Sequence, residues 1–77
     1  MKLCDCEVAA AHSGAGIYQY KNKKFNRWIV RFDVQSYCVE RTYLYDCQIV
    51  DDFEQNNSEY MNLMAMLQSD EWELIKQ

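Results

Sequence analysis

Cys4, Cys6, Cys38, Cys47 and His12 are the residues of this chain whose types could hold a soft metal or serve as a nucleophile with its base. Thiolate and imidazole are the ligands zinc prefers, and four of these five would complete a tetrahedral site. The spacing argues against it. Zinc knuckles place two residues between their paired cysteines, whereas Cys4-Asp5-Cys6 has one between and Cys38 and Cys47 are separated by eight. Strand alternation would also put Cys38 and Cys47 on opposite faces. The plainer reading is four small, buried, weakly polar side chains, with a disulfide as the alternative in an oxidising compartment. For a nucleophilic cysteine, His12 is the lone imidazole, and no third group is placed to orient it.

Carboxylates cluster at Asp51 and Asp52 and again at Asp70, Glu71 and Glu73. General acid–base chemistry needs acids converging in a pocket, and helix first turns and solvated loops account for both clusters without one. The two glycines lie in Ser13-Gly14-Ala15-Gly16 without the lysine that a phosphate-binding loop requires. No catalytic residue, metal or cofactor is expected, and the functional question turns on binding.

The elements that must position these residues follow from periodicity. Residues 3–12 are readable two ways: Cys4, Cys6 and Val8 alternate with Asp5 and Glu7 as in a half-buried strand, while Val8-Ala9-Ala10-Ala11 followed by Gly14 suits a short helix and its stop. The alternation favours a strand of about six residues. Ile17-Tyr18-Gln19-Tyr20, a polar turn at Lys21-Asn22-Lys23-Lys24, and Phe25 to Val34 form a hairpin pattern. In its second arm Trp28, Val30, Phe32 and Val34 share the core face, and Arg27, Ile29, Arg31 and Asp33 the other. Tyr37 to Val50 reads as a third, antiparallel strand with apolar residues on both faces. Asn56 and Glu59 have the spacing of a capping box, and Tyr60, Leu63, Met64 and Leu67 follow a helical stripe. Ser69, Asp70 and Glu71 suit the start of a further helix carrying Trp72, Leu74 and Ile75. The expected architecture is α+β: an antiparallel sheet of three or four strands with a C-terminal helical layer on one face.

Charge is segregated along the chain. The first 32 residues carry six Lys/Arg against two acids, and the remaining 45 carry two against ten. Lys21, Lys23, Lys24, Arg27 and Arg31, interleaved with Tyr18, Tyr20, Phe25 and Trp28, have the ingredients of a single-stranded nucleic-acid surface: cations for phosphate and rings for stacking. A net charge of −4 opposes a polyanion, which favours the opposite use of the sequence. Asp46, Asp51, Asp52, Glu54, Glu59, Asp70, Glu71 and Glu73 can present carboxylates to a basic partner. Tyr18, Tyr20, Tyr37, Tyr43 and Tyr45 supply candidate interface anchors where the core does not claim them. The order of segments suggests that the two signs occupy opposite ends of the molecule.

Seventy-seven residues without proline, signal-like leader or apolar run of membrane-spanning length imply one domain, residues 1–77, in a reducing cytoplasm with no membrane partner. An acidic chain of this size, with runs such as Asp51-Asp52-Phe53-Glu54 and Ser69-Asp70-Glu71-Trp72-Glu73, resembles the small phage-encoded inhibitors of bacterial defence, the anti-CRISPR and anti-restriction proteins. The resemblance lies in size, charge and architecture. It implies a non-enzymatic protein in the cytoplasm of a bacterial host, occupying a basic, nucleic-acid-handling surface of a nuclease or surveillance complex. A small nucleic-acid-binding protein using residues 21–31, and a homodimer joined through the extra apolar sheet face, are the alternative readings.

Overall fold

The computed structural model describes residues 1–50 and 63–77. In chain order the elements are α1 (Leu3–Ser13), β1 (Gly16–Asn22), β2 (Trp28–Gln35), β3 (Cys38–Tyr45), β4 (Gln48–Ile49), α2 (Leu63–Gln68) and β5 (Trp72–Lys76). The strands form one antiparallel sheet in the order β4-β3-β2-β1-β5. The α+β class holds, with five strands where three or four were expected. No helix among the described residues is long and apolar enough to cross a membrane.

The N-terminal segment is a helix, against the strand favoured by alternation. Leu3, Cys6 and Ala10 are its buried residues, at i, i+3 and i+7, while Cys4 and Val8 face solvent. The run of alanines favours the helix and Gly14 ends it, with φ +95° and its N–H donating to Ala11 O at 3.4 Å. Tyr18 then donates its hydroxyl to Gly14 O at 2.9 Å, fastening the helix end to β1.

The β1–β2 hairpin follows the sequence pattern. Trp28, Val30, Phe32 and Val34 are buried, and their neighbours on β2 are not. Its turn is organised by the fully buried Asn22, whose Oδ1 accepts the backbone N–H groups of Lys24 and Phe25 at 2.9 Å each.

Tyr37 to Val50 is a hairpin and not one strand. Asp46 and Cys47, both with positive φ, form a two-residue turn between Tyr45 and Gln48, which pair. Two successive positive φ values mark the turn whose twist matches the flanking strands.

The segment from Ser69 onward is extended, against the expected helix restart. Ser69 Oγ accepts the Glu71 N–H at 3.1 Å, Lys23 N–H donates to Glu71 O at 2.9 Å, and Trp72 to Lys76 pair with β1. Five residues are too few for a stable isolated helix, and extended they satisfy the open edge of β1. Trp72 closes the core, and the Met1 ammonium donates to the carbonyls of Asp70 and Trp72 at 2.6 and 3.2 Å. The C-terminal helical layer is thus reduced, among the described residues, to the six-residue α2, which puts Met66 and Leu67 into the core. The capping box at Asn56 and Glu59, and Tyr60, lie outside the described residues, as do Asp51, Asp52, Glu54 and Glu59 among the candidate contacts.

One cluster, containing Leu3, Cys6 and Ala10 of α1, Met66 of α2 and the inward residues of β1, β2 and β5, is the core. Both helices therefore lie against the same sheet face.

Candidate interaction surface

The opposite face of the sheet is set by strand parity. Residues odd in β1 and β2 and even in β3 alternate away from the core, and the registers align them into rows across the strands. The first row runs Ile49, Leu44, Ile29, Lys21, Glu73. The second is Thr42, Arg31, Gln19, and the third is Glu40, Asp33, Ile17. Ile17 and Ile49 are about half exposed, at 48% and 55%, and Ile29 and Leu44 are half-buried by their neighbours. The first row is aliphatic across β4, β3 and β2 and charged at Lys21 and Glu73, and the third sets Glu40 and Asp33 beside Ile17.

Asp33 and Glu40 are direct cross-strand partners of like charge, an arrangement that opposes sheet formation by a few tenths of a kcal/mol up to ~1 kcal/mol. The three ion pairs among the described residues, Lys23–Glu73, Arg27–Asp46 and Arg41–Glu7, include neither of them, nor Arg31 or Lys21.

The expected separation of charge into two ends is corrected. The basic β1–β2 turn lies between two acidic segments: Lys23 Nζ is 3.5 Å from Glu73 Oε2, and Arg27 Nε is 3.8 Å from Asp46 Oδ1. Lys24 lines a groove with Asp70 and Glu71. The antiparallel sheet causes this, because pairing β5 with β1 and folding β3 back on β2 returns the acidic residues to the tip of the basic hairpin. The described residues hold all eight Lys/Arg and eight of the twelve acids, so the chain's net −4 resides in residues 51–62.

Most of the aromatic anchors belong to the core. Tyr18 and Tyr20 are buried, and Tyr43 and Tyr45 pack against the core, with Tyr45 edge-on to Trp28 at 5.1 Å. Burial pushes the Tyr20 hydroxyl above its ordinary pKa. Tyr37 stands fully exposed at the tip of the β2–β3 hairpin. Of the candidate nucleic-acid surface, Lys21 and Arg31 sit on the face opposite the buried Tyr18, Tyr20 and Trp28, while Phe25 is half-buried at the turn with Lys24 Nζ 5.5 Å from its ring centre. Cys4, Cys38 and Cys47 are exposed and Cys6 is buried, all as free thiols. No group of three His, Cys, Asp or Glu among the described residues is placed to hold a metal ion, and His12 is exposed in the last turn of α1.

Arg41 is the residue that sequence reasoning passed over. It has the parity of Val39, Tyr43 and Tyr45, and so stands on the core side opposite Phe32. Its guanidinium donates to Tyr43 Oη at 2.9 Å and Glu7 Oε1 at 3.0 Å and lies 5.4 Å from the Phe32 ring centre. Burial acts to lower its pKa, but the bonds to Tyr43 and Glu7 outweigh it and hold the pKa above the ordinary value. A cation within an apolar stripe was the available signal.

No protein-family model, curated protein or solved structure matches the chain.

Proposed function

We propose that this chain is a non-enzymatic interaction module that docks the sheet face opposite its two helices on a basic, nucleic-acid-handling protein, as an inhibitor of the phage anti-defence kind would in a bacterial cytoplasm. The observation that carries the reading is the Asp33–Glu40 pair: two acidic residues directly opposite each other on adjacent strands, in none of the ion pairs among the described residues. A partner's cations would meet both carboxylates at once, side by side on adjacent strands. Beside them Ile17, Ile29, Leu44 and Ile49 supply apolar area, so the partner offers Lys or Arg next to an apolar patch. Tyr37 gives an exposed ring at the tip of the β2–β3 hairpin. Asp46 and Glu73, engaged with Arg27 and Lys23, contribute less than the original set of acids implied.

The test is binding of the native chain and of Asp33→Asn/Glu40→Gln to purified bacterial surveillance complexes and restriction nucleases, at about 50 and about 300 mM salt. The native chain should capture at least one of them, with affinity falling as salt rises. The double variant should bind about tenfold more weakly and depend less on salt. Equal binding by the double variant, salt-indifferent binding, or no binding to any of these partners overturns the reading.

A further inference from the structure

We propose that the groove between the first turn of α1, the end of α2 and β3 binds a small organic anion, a carboxylate or phosphate ester carried on an apolar body. Lys2, Leu3, Cys4, Arg41, Tyr43, Leu67 and Gln68 line this groove of about 480 Å³, within the size range of small-molecule sites. Arg41 orients it. Its side chain is packed against the core yet 30% exposed, so the guanidinium is both positioned and open to a solute. The planar fork is oriented by Tyr43 and Glu7 and by the Phe32 and Tyr43 rings at 5.4 and 5.9 Å, and among the described residues two of its five N–H groups are used in bonds.

Lys2 brings a second cation, which joins none of the ion pairs among the described residues. It also precedes a helix turn that has no side-chain cap, so backbone donors beside the groove lack side-chain acceptors. Leu3 and Leu67 form the apolar wall, and Gln68 adds an amide. Glu7 balances the charge of Arg41 alone, leaving the Lys2 charge to select an anion. This groove is on the helix side of the sheet, so the inference does not rest on the docking face.

The experiment is a two-dimensional amide NMR titration of the full chain with inorganic phosphate, phenyl phosphate and benzoate. Saturable shifts are expected at Leu3, Cys4, Leu67 and Gln68. Phenyl phosphate should bind about tenfold more tightly than inorganic phosphate because its ring meets the apolar wall. Benzoate binding more tightly than phenyl phosphate assigns a carboxylate ligand, and the reverse assigns a phosphate ester. Lys2→Gln should weaken binding about fivefold, and Arg41→Lys, which keeps the charge and loses the fork, about tenfold. Leu67→Ala, which removes the wall and leaves both cations, should lower phenyl phosphate affinity without changing that for inorganic phosphate, and carries the test if Arg41→Lys does not fold. Absence of saturation, shifts centred on Lys23, Lys24 and Arg27, or native affinity in Lys2→Gln overturns the proposal.

Discussion

The inner face of the sheet buries its rings beneath two helices and fixes the cation Arg41 with a carboxylate, a hydroxyl and two aromatic rings, while the outer face carries Arg31, Asp33 and Glu40, in none of the ion pairs among the described residues, beside half-exposed isoleucines. Both faces arise from the same strands, read at alternate residues. Their difference therefore lies in what covers them. A face meant only for solvent would carry few aliphatics, and this one carries Ile17, Ile29, Leu44 and Ile49. The inner face holds the molecule together; the outer one is where the proposed partner would dock.

The sharpest way to break this comparison is to truncate neighbouring residues of different parity. Phe32→Ala removes a fully buried ring at the centre of the core and should cost about 3–5 kcal/mol, comparable to the whole net stability of so small a domain. Ile29→Ala, three residues earlier on the outer face, should cost about 1 kcal/mol or less. Urea denaturation followed by circular dichroism measures both. Equal losses would mean that the outer face is as much a core as the inner one, and the docking surface would have to be sought elsewhere.

A second contrast uses thiols. Burial is the main cause raising the Cys6 pKa from 9.0 to about 11; the chain's N-terminal ammonium pulls it down, and Asp5 and Cys4 push it up. The folded protein thus holds this proton more tightly than the unfolded chain does. The resulting stability is complete below pH 9.0 and is lost as the pH rises through about 11. Denaturation midpoints should fall across that window and fall less in Cys6→Ala, with Tyr20, raised by burial in the same sense, retaining part of the slope. In native protein, alkylation at neutral pH should label Cys38 on the outer face and spare Cys6. Equal labelling rates would show that α1 opens readily from the sheet.

The sequence pattern reached these features unevenly. The Trp28, Val30, Phe32, Val34 stripe was legible because a sheet covered on one face alternates cleanly. At residues 3–12 the alternation of Cys4, Cys6 and Val8 competed with a helical spacing whose small Ala10 gives little hydrophobic signal, and the packing of Leu3, Cys6 and Ala10 decided it. The turn at Asp46 and Cys47 lacks the glycine that announces such turns, so two strands read as one. Trp72 to Lys76 looked helical because strand pairing is non-local: no neighbour in sequence says that β1 has a free edge. The charge split misled for the same reason, since antiparallel pairing brought Asp46 and Glu73 back to Arg27 and Lys23.

The smallest expected effect concerns the turn that carries Ile49 into the outer apolar row. Cys47 has φ +67°, a conformation that costs a residue with a Cβ about 1–2 kcal/mol and a glycine nothing. Glycine in turn loses more freedom on folding, by about 0.5–1 kcal/mol, so Cys47→Gly should gain roughly 0.5–1 kcal/mol. In a domain of this size that is a rise of about 3–6 °C in Tm, readable by scanning calorimetry. Asp46→Gly should gain less, because aspartate tolerates this region and its carboxylate 3.8 Å from Arg27 would be lost. A firmer turn keeps Ile49 beside Leu44, so on the proposed function Cys47→Gly should bind its partner at least as tightly as the native chain does. If Cys47→Gly instead lowers Tm, the Cys47 side chain makes contacts worth more than the backbone strain, and the β3–β4 edge owes its stability to more than its turn.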